Sequence, residues 1–302
     1  MPAGTIAGKP DDFDAFWDEI ETDLAAVPAN PEETELPLYS TEFSTTYSVR
    51  LTSIGPYRIS AFVSIPKGGG PLPALFMAPG YASVVTPPPY QDRQRYVVMS
   101  LRYRGTRGSD WPYAGKFPGM LTDGIADART WIMRGVFADA IRGFEYLAAR
   151  PEVDPERIAI NGTDSGLIVA ARRPQVKAMA VSGAFWYRMQ EMVQATEAYP
   201  FEEINDYVRT YPDERDAVMR TLSYFDPRHQ AERVTARVLL ANDQPEWFAP
   251  LAGALGGEHE HYAVTHEGQL DRDTVENWLA DQLGAEHLPR IWTPEEIGSW
   301  SS

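Results

Sequence analysis

The spacing of apolar positions switches between helical and strand-like periods along the chain, and those switches mark its elements. Over residues 11–26, Phe13, Phe16, Trp17, Ile20 and Leu24 recur at helical spacing behind an acidic first turn, which predicts an amphipathic helix packed on the rest of the molecule. After the proline-rich PANPEETELPLY, the runs TEFSTTYSVRLTSI and YRISAFVSIP are rich in β-branched and aromatic residues and flank Gly55-Pro56, as a hairpin would. ALFMAPGY and YVVMSL read as buried strands. From Leu101 to Arg134 periodicity is lost among glycines, tryptophans and tyrosines, and a loop of that length inside a domain usually carries function. Gly135 to Arg150 returns to helical spacing and stops before Pro151.

The second half repeats the alternation. RIAING, starting at Arg157, predicts a strand, LIVAA the start of a helix, and VKAMAVSGAFW another strand. Residues from about 186 to 232 carry no strand pattern and read as a helical insertion. RVLLAN and HEHYAV predict two more strands, DRDTVENWLADQL a closing helix over 271–283, and residues 285–302 a tail. Strands alternating with helices point to an α/β fold with a mostly parallel sheet covered on both faces, here as one domain over 1–302. In such sheets chemistry sits at the carboxyl ends of the strands. The predicted strand ends carry Tyr81, Arg104, Asp164, Asp243 and His266.

One of these ends sets the chemical question. Gly162-Thr163-Asp164-Ser165-Gly166 follows a strand and opens a helix, the setting of a Gly-x-nucleophile-x-Gly turn. The glycines stand two residues either side of Asp164, so the apex position holds a carboxylate. A carboxylate attacking an ester would form an anhydride and mostly revert, whereas displacement at saturated carbon leaves a stable aspartyl ester. The leading expectation is therefore a hydrolase of an epoxide, strained ring or alkyl halide through covalent Asp164. His266 would then activate water and Asp243 would orient it, while the N–H groups of Ser165 and of the Tyr81-Ala82 loop would hold the oxyanion. Tyr81, Tyr103, Trp186, Tyr187 and Arg104 are candidate substrate contacts, the tyrosines as acids for an epoxide oxygen, and Trp186 or Trp111 as donors to a halide. The alternatives are an esterase or lactonase with Asp164 as base, and a non-catalytic binding protein.

Composition narrows the partners. With 27 basic against 43 acidic residues the formal charge is -16, which repels phosphate backbones and anionic membranes, so neither nucleic acid nor membrane is expected as a partner. A small-molecule substrate remains. The chain has no cysteine, so thiolate chemistry and cysteine metal sites are excluded. His259, His261 and His266 do not share one strand face and no HExxH accompanies them, so no metal or other cofactor is expected. No apolar leader or membrane span is read, and the expectation is a cytoplasmic protein.

The order of FDAFWDEI, IPKG, PGY, RGTRGSD, the helix through the turn at Gly162–Gly166, TLSYFDP, VLLAND and THEG resembles the cephalosporin C deacetylase and acetyl xylan esterase family of α/β-hydrolases. The resemblance implies the α/β-hydrolase fold, the nucleophile–acid–histidine order of Asp164, Asp243 and His266, and self-association into a homo-oligomer. Gly80-Tyr81, Arg104-Gly105, Asp243 and His266-Glu267 match the family's motifs. Pro79 stands for its histidine, Thr106 for its glutamine, Asp164 for its nucleophilic serine and Ser165 for the glutamine after it.

Overall fold

Alternation along the central strands decides which helical layer each side chain meets. In the computed structural model, which describes residues 6–82 and 84–288, Phe76, Met99, Ile160 and Met179 face a large core, while Leu75, Val98, Ala159 and Ala178 face a smaller one on the other side of the sheet. The strands are β1 (Glu32–Glu35), β2 (Ser44–Ser53), β3 (Tyr57–Pro66), β4 (Leu72–Ala78), β5 (Val97–Arg102), β6 (Val153–Gly162), β7 (Val176–Ser182), β8 (Arg237–Asn242) and β9 (His259–Ala263). They form one nine-stranded sheet in the order β1-β2-β3-β5-β4-β6-β7-β8-β9. β1, β2 and β3 are antiparallel and β3 also runs against β5, whereas each neighbouring pair from β5 through β4 to β9 is parallel.

The helices are α1 (Phe13–Ala26), α2 (Asp92–Arg95), α3 (Ile132–Ala148), α4 (Ser165–Arg172), α5 (Met189–Ala195), α6 (Phe201–Thr210), α7 (Arg215–Ser223), α8 (Pro245–Ala252) and α9 (Gln269–Leu283). α1, α3 and α4 contribute to the large core and α9 covers the other face through Val275, Leu279 and Leu283. This is the α/β-hydrolase architecture read from the sequence. In α1 the five apolar positions of the helical stripe are all buried, and Trp17 also donates its indole N–H to the Tyr224 carbonyl at 3.0 Å. Burying each such side chain stabilises the fold by roughly 1.5–3 kcal/mol.

The stretch 186–232 holds α5, α6 and α7. Differences lie at the margins. α3 begins at Ile132, earlier than its periodicity suggested, because Trp131 and Met133 are already buried in the core. β1, with the sequence EETE, is exposed at every position and pairs with β2 along the sheet edge. Neither α2 nor α8 was anticipated. The tail beyond residue 288 lies outside the described residues. Among the described residues no helix is long and apolar enough to cross a membrane.

Candidate active site

The parallel strands bring Ala78 beside Gly162 and Asn242 beside Ala263, so the segments that follow β4, β6, β8 and β9 emerge along the same edge of the sheet. The glycines around Asp164 are explained by crowding. A Cβ on Gly162 would lie 2.5 Å from the Ala78 carbonyl oxygen, and one on Gly166 would lie 2.6 Å from the Met179 side chain. Those contacts hold the β6–α4 connection against its neighbours. The backbone of the apex is not strained, however: Asp164 has φ -58° and ψ -13°, ordinary helical values, and stands at the N-cap position of α4 without a side-chain capping bond.

The side chain of Asp164 points into the protein. It is fully buried, and its carboxylate accepts the backbone N–H groups of Phe185 at 2.9 Å, Trp186 at 2.7 Å and Tyr187 at 2.6 Å. Burial pushes its pKa up to about 6, with the three amide bonds opposing that rise and the Asp226 charge adding to it. Neither oxygen of Asp164 is hydrogen-bonded to His266, whose Nε2 lies 3.1 Å from Asp243 Oδ2. The structure therefore joins Asp243 to His266 as the sequence reading proposed and places Asp164 under the 185–187 segment instead. His266 itself has φ +64°, a left-handed conformation uncommon for a residue with a Cβ. Its side chain is 72% exposed and that of Asp243 48%.

Ser165 heads α4 and shares a hydrogen bond with Thr163 between their hydroxyls at 3.0 Å. It lines a small apolar cavity with Tyr81, Tyr103, Met133, Phe137 and Trp186, with about 20 Å³ of room. Of the oxyanion candidates, the Ala82 N–H donates to Tyr103 Oη at 3.1 Å, and Ala82 is held at φ +55°.

The tyrosines chosen as acids have their hydroxyls occupied. Tyr81 Oη donates to Glu203, with 2.9 and 3.1 Å to its two carboxylate oxygens, and accepts from the Leu121 N–H at 3.0 Å. Tyr187 Oη donates to the Trp247 carbonyl at 2.7 Å, and the residue is buried against Phe248. Burial raises the pKa of all three tyrosines, Tyr103 to about 12, and the Glu203 charge adds to the rise at Tyr81. Each of the three hydroxyl protons is directed to a protein acceptor, Glu203, the Gly80 carbonyl or the Trp247 carbonyl, rather than toward an open space.

Arg104 is corrected as well. Its guanidinium forms two bonds to the fully buried Asp139, at 2.7 and 2.9 Å, and a third to the Ile54 carbonyl at 3.0 Å. It pins β5 to α3 and contacts no part of the small cavity. Trp186 packs against Trp131 and Phe137 with ring centroids 6.0 and 4.9 Å apart, while Trp111 is 79% exposed on the loop surface. Of the remaining histidines read from the sequence, His261 bonds Asn242 at 3.0 Å. Among the described residues no group of three or more His, Asp or Glu could hold a metal ion.

Glu203 is the site residue that the sequence did not single out. It comes from α6 in the insertion and is nearly buried, and its carboxylate also accepts the N–H groups of Gly119 at 2.7 Å and Leu121 at 3.3 Å. Nothing in FEEINDYV distinguishes it from Glu202 beside it, because its partners lie far away in the sequence.

Residues 4–244 match the family model for acetyl xylan esterase, AXE1. The acetyl esterase Axe7A of Xylanibacter ruminicola is 21% identical over 253 residues, covering 77% of this chain and 56% of that protein, so the chain spans about half of its relative's length. Two solved structures superpose closely. Acetyl xylan esterase 1 from Thermoanaerobacterium sp. JW/SL YS485 gives a TM-score of 0.78 at 23% identity, over 93% of this chain and 96% of its own. The acetyl xylan esterase from Paenibacillus sp. R4 gives 0.79 at 24%, over 92% and 97%.

Proposed function

The chain belongs to the acetyl xylan esterase family of α/β-hydrolases, and from that premise we propose that it hydrolyses small acyl esters, acetyl esters foremost, through His266 and Asp243. The observation that carries this reading is the His266–Asp243 hydrogen bond at the carboxyl edge of β8 and β9. Asp243 accepts from Nε2, which leaves Nδ1 as the base. Nδ1 takes a proton from water as the water oxygen attacks the ester carbonyl, and the imidazolium, steadied by Asp243, returns that proton to the departing alkoxide. Asp164 serves as an internal acceptor that holds the 185–187 segment. Attack by Asp164 on an epoxide or alkyl halide is disfavoured: the carboxylate is fully buried, and three of its roughly four lone-pair positions already accept backbone amides.

The test is release of 4-nitrophenol from 4-nitrophenyl acetate. His266→Ala is expected to lose about 100-fold or more of the rate, in the range of general-base catalysis, while Asp164→Asn that remains folded retains most of it. Loss of activity only in the Asp164 variant would overturn the assignment. A second reading, a non-catalytic binding protein on the esterase scaffold, draws on the cramped cavity beside Ser165, whose roughly 20 Å³ holds about one water and leaves no room there for an ester. It predicts no ester turnover and ligand binding indifferent to His266→Ala.

A further inference from the structure

We infer that Glu203 is the positioning residue for the Gly80–Ala82 turn, acting across the domain from the helical insertion. The inference rests on the ester-hydrolase reading in one respect: it takes this turn as the place where a substrate's carbonyl oxygen is stabilised. Glu203 is 7% exposed, and its carboxylate reaches the Tyr81 hydroxyl, the Gly119 N–H and the Leu121 N–H together. Tyr81 belongs to the turn after β4, whereas Gly119 and Leu121 lie at the start of a single 3-10 turn, Met120–Thr122. Tyr81 in turn stacks on Phe185, with centroids 5.5 Å apart and planes 11° apart, and it meets Phe117 edge-on at 5.4 Å. The Phe185 N–H is bound by Asp164. A continuous set of contacts therefore runs from α6 through Glu203, Tyr81 and Phe185 to the start of α4.

The turn needs such a hold. Ala82 is left-handed at φ +55°, a conformation that costs an alanine roughly 1 kcal/mol or more and persists only where its surroundings impose it. The Ala82 N–H is occupied by Tyr103, so the turn's backbone donor to substrate is taken to be the neighbouring Tyr81 amide. The direction of that amide follows the ring that Glu203 clamps. A carboxylate suits the task because it accepts from the phenol and both amides at once, which a neutral side chain of the same length does less well.

The experiment compares wild type with Glu203→Ala, Glu203→Gln and Tyr81→Phe, reading backbone amide exchange at residues 80–82 and 119–121, thermal stability, and kcat and KM for 4-nitrophenyl acetate. Glu203→Ala should speed exchange in both segments and lower kcat by about tenfold, the scale of a misdirected catalytic dipole, with KM little changed. Glu203→Gln should recover part of both effects. Tyr81→Phe, which removes only the hydroxyl, should reproduce the exchange at 80–82 but not at Gly119. Unchanged exchange at 80–82 in a folded Glu203→Ala would overturn the inference, as would a drop in thermal stability with kcat intact. A wild type without ester turnover would sink the ester reading, while the exchange comparison would still decide whether Glu203 holds the turn.

Discussion

Replacing Asp164 by asparagine tests the buried carboxylate through the pH dependence of stability. In the folded protein its pKa is about 6, against 3.8 for an ordinary aspartate, because burial outweighs the three amide bonds it accepts. Folding thus binds the proton more tightly than the unfolded chain does. The stabilising contribution of the protonated side chain is fully present below the unfolded value near 3.8 and is lost as pH rises through about 6. A gap of roughly two pH units corresponds to about 3 kcal/mol, of which about 2.5 kcal/mol falls between pH 4 and pH 7.5. Asparagine fills nearly the same volume but turns an N–H₂ toward the Phe185–Tyr187 amides, at a cost of about 1–3 kcal/mol that does not vary with pH. Asp164→Asn should therefore be clearly less stable than wild type at pH 4 and close to it at pH 7.5. Urea unfolding of both proteins across this range gives the difference directly, and subtraction removes the other titrating groups. A difference that stays constant with pH would refute the reasoning, as would one that grows toward neutrality, which would mean that the charge itself is what the three amides stabilise.

Two further substitutions test the packing around the site. Arg104→Ala leaves Asp139 as an unpaired buried charge and should cost about 3–5 kcal/mol in chemical unfolding; a loss under 1 kcal/mol would mean the pair is solvated. Gly162→Ala drives a methyl to 2.5 Å from the Ala78 carbonyl oxygen, and it should lower stability by about 1–3 kcal/mol while leaving α1 and its contacts intact; a neutral effect in the same assay would show that the β4–β6 contact is loose.

The sequence conveyed the layered architecture because its evidence is periodic. Phe13 through Leu24 fall on one helical face, and β4, β5, β7 and β8, with the Ile158–Ile160 part of β6, are short apolar runs buried on both sides. Gly162 and Gly166 were legible as a crowded turn, and Asp243 beside His266 as neighbouring strand ends. What was not legible depends on partners far along the chain. The direction of Asp164 is set by amides 21 to 23 residues later, and register in a Gly-x-Asp-x-Gly stretch says nothing of where those amides lie. Tyr81, Tyr103 and Tyr187 looked like available acids because a hydroxyl's acceptor is invisible in sequence. β1 was missed since EETE has no alternation and buries nothing, and only its pairing with β2 defines it.

The division of labour between Asp164 and His266 can be read in a single isotope experiment. Repeated turnover of an acetyl ester in water enriched in oxygen-18, followed by mass spectrometry of the peptide spanning Gly162–Gly166, should find the label in the released acetate and none in the Asp164 carboxylate. Label accumulating on Asp164 would contradict the account, because it requires water to have attacked an ester or anhydride formed on that side chain.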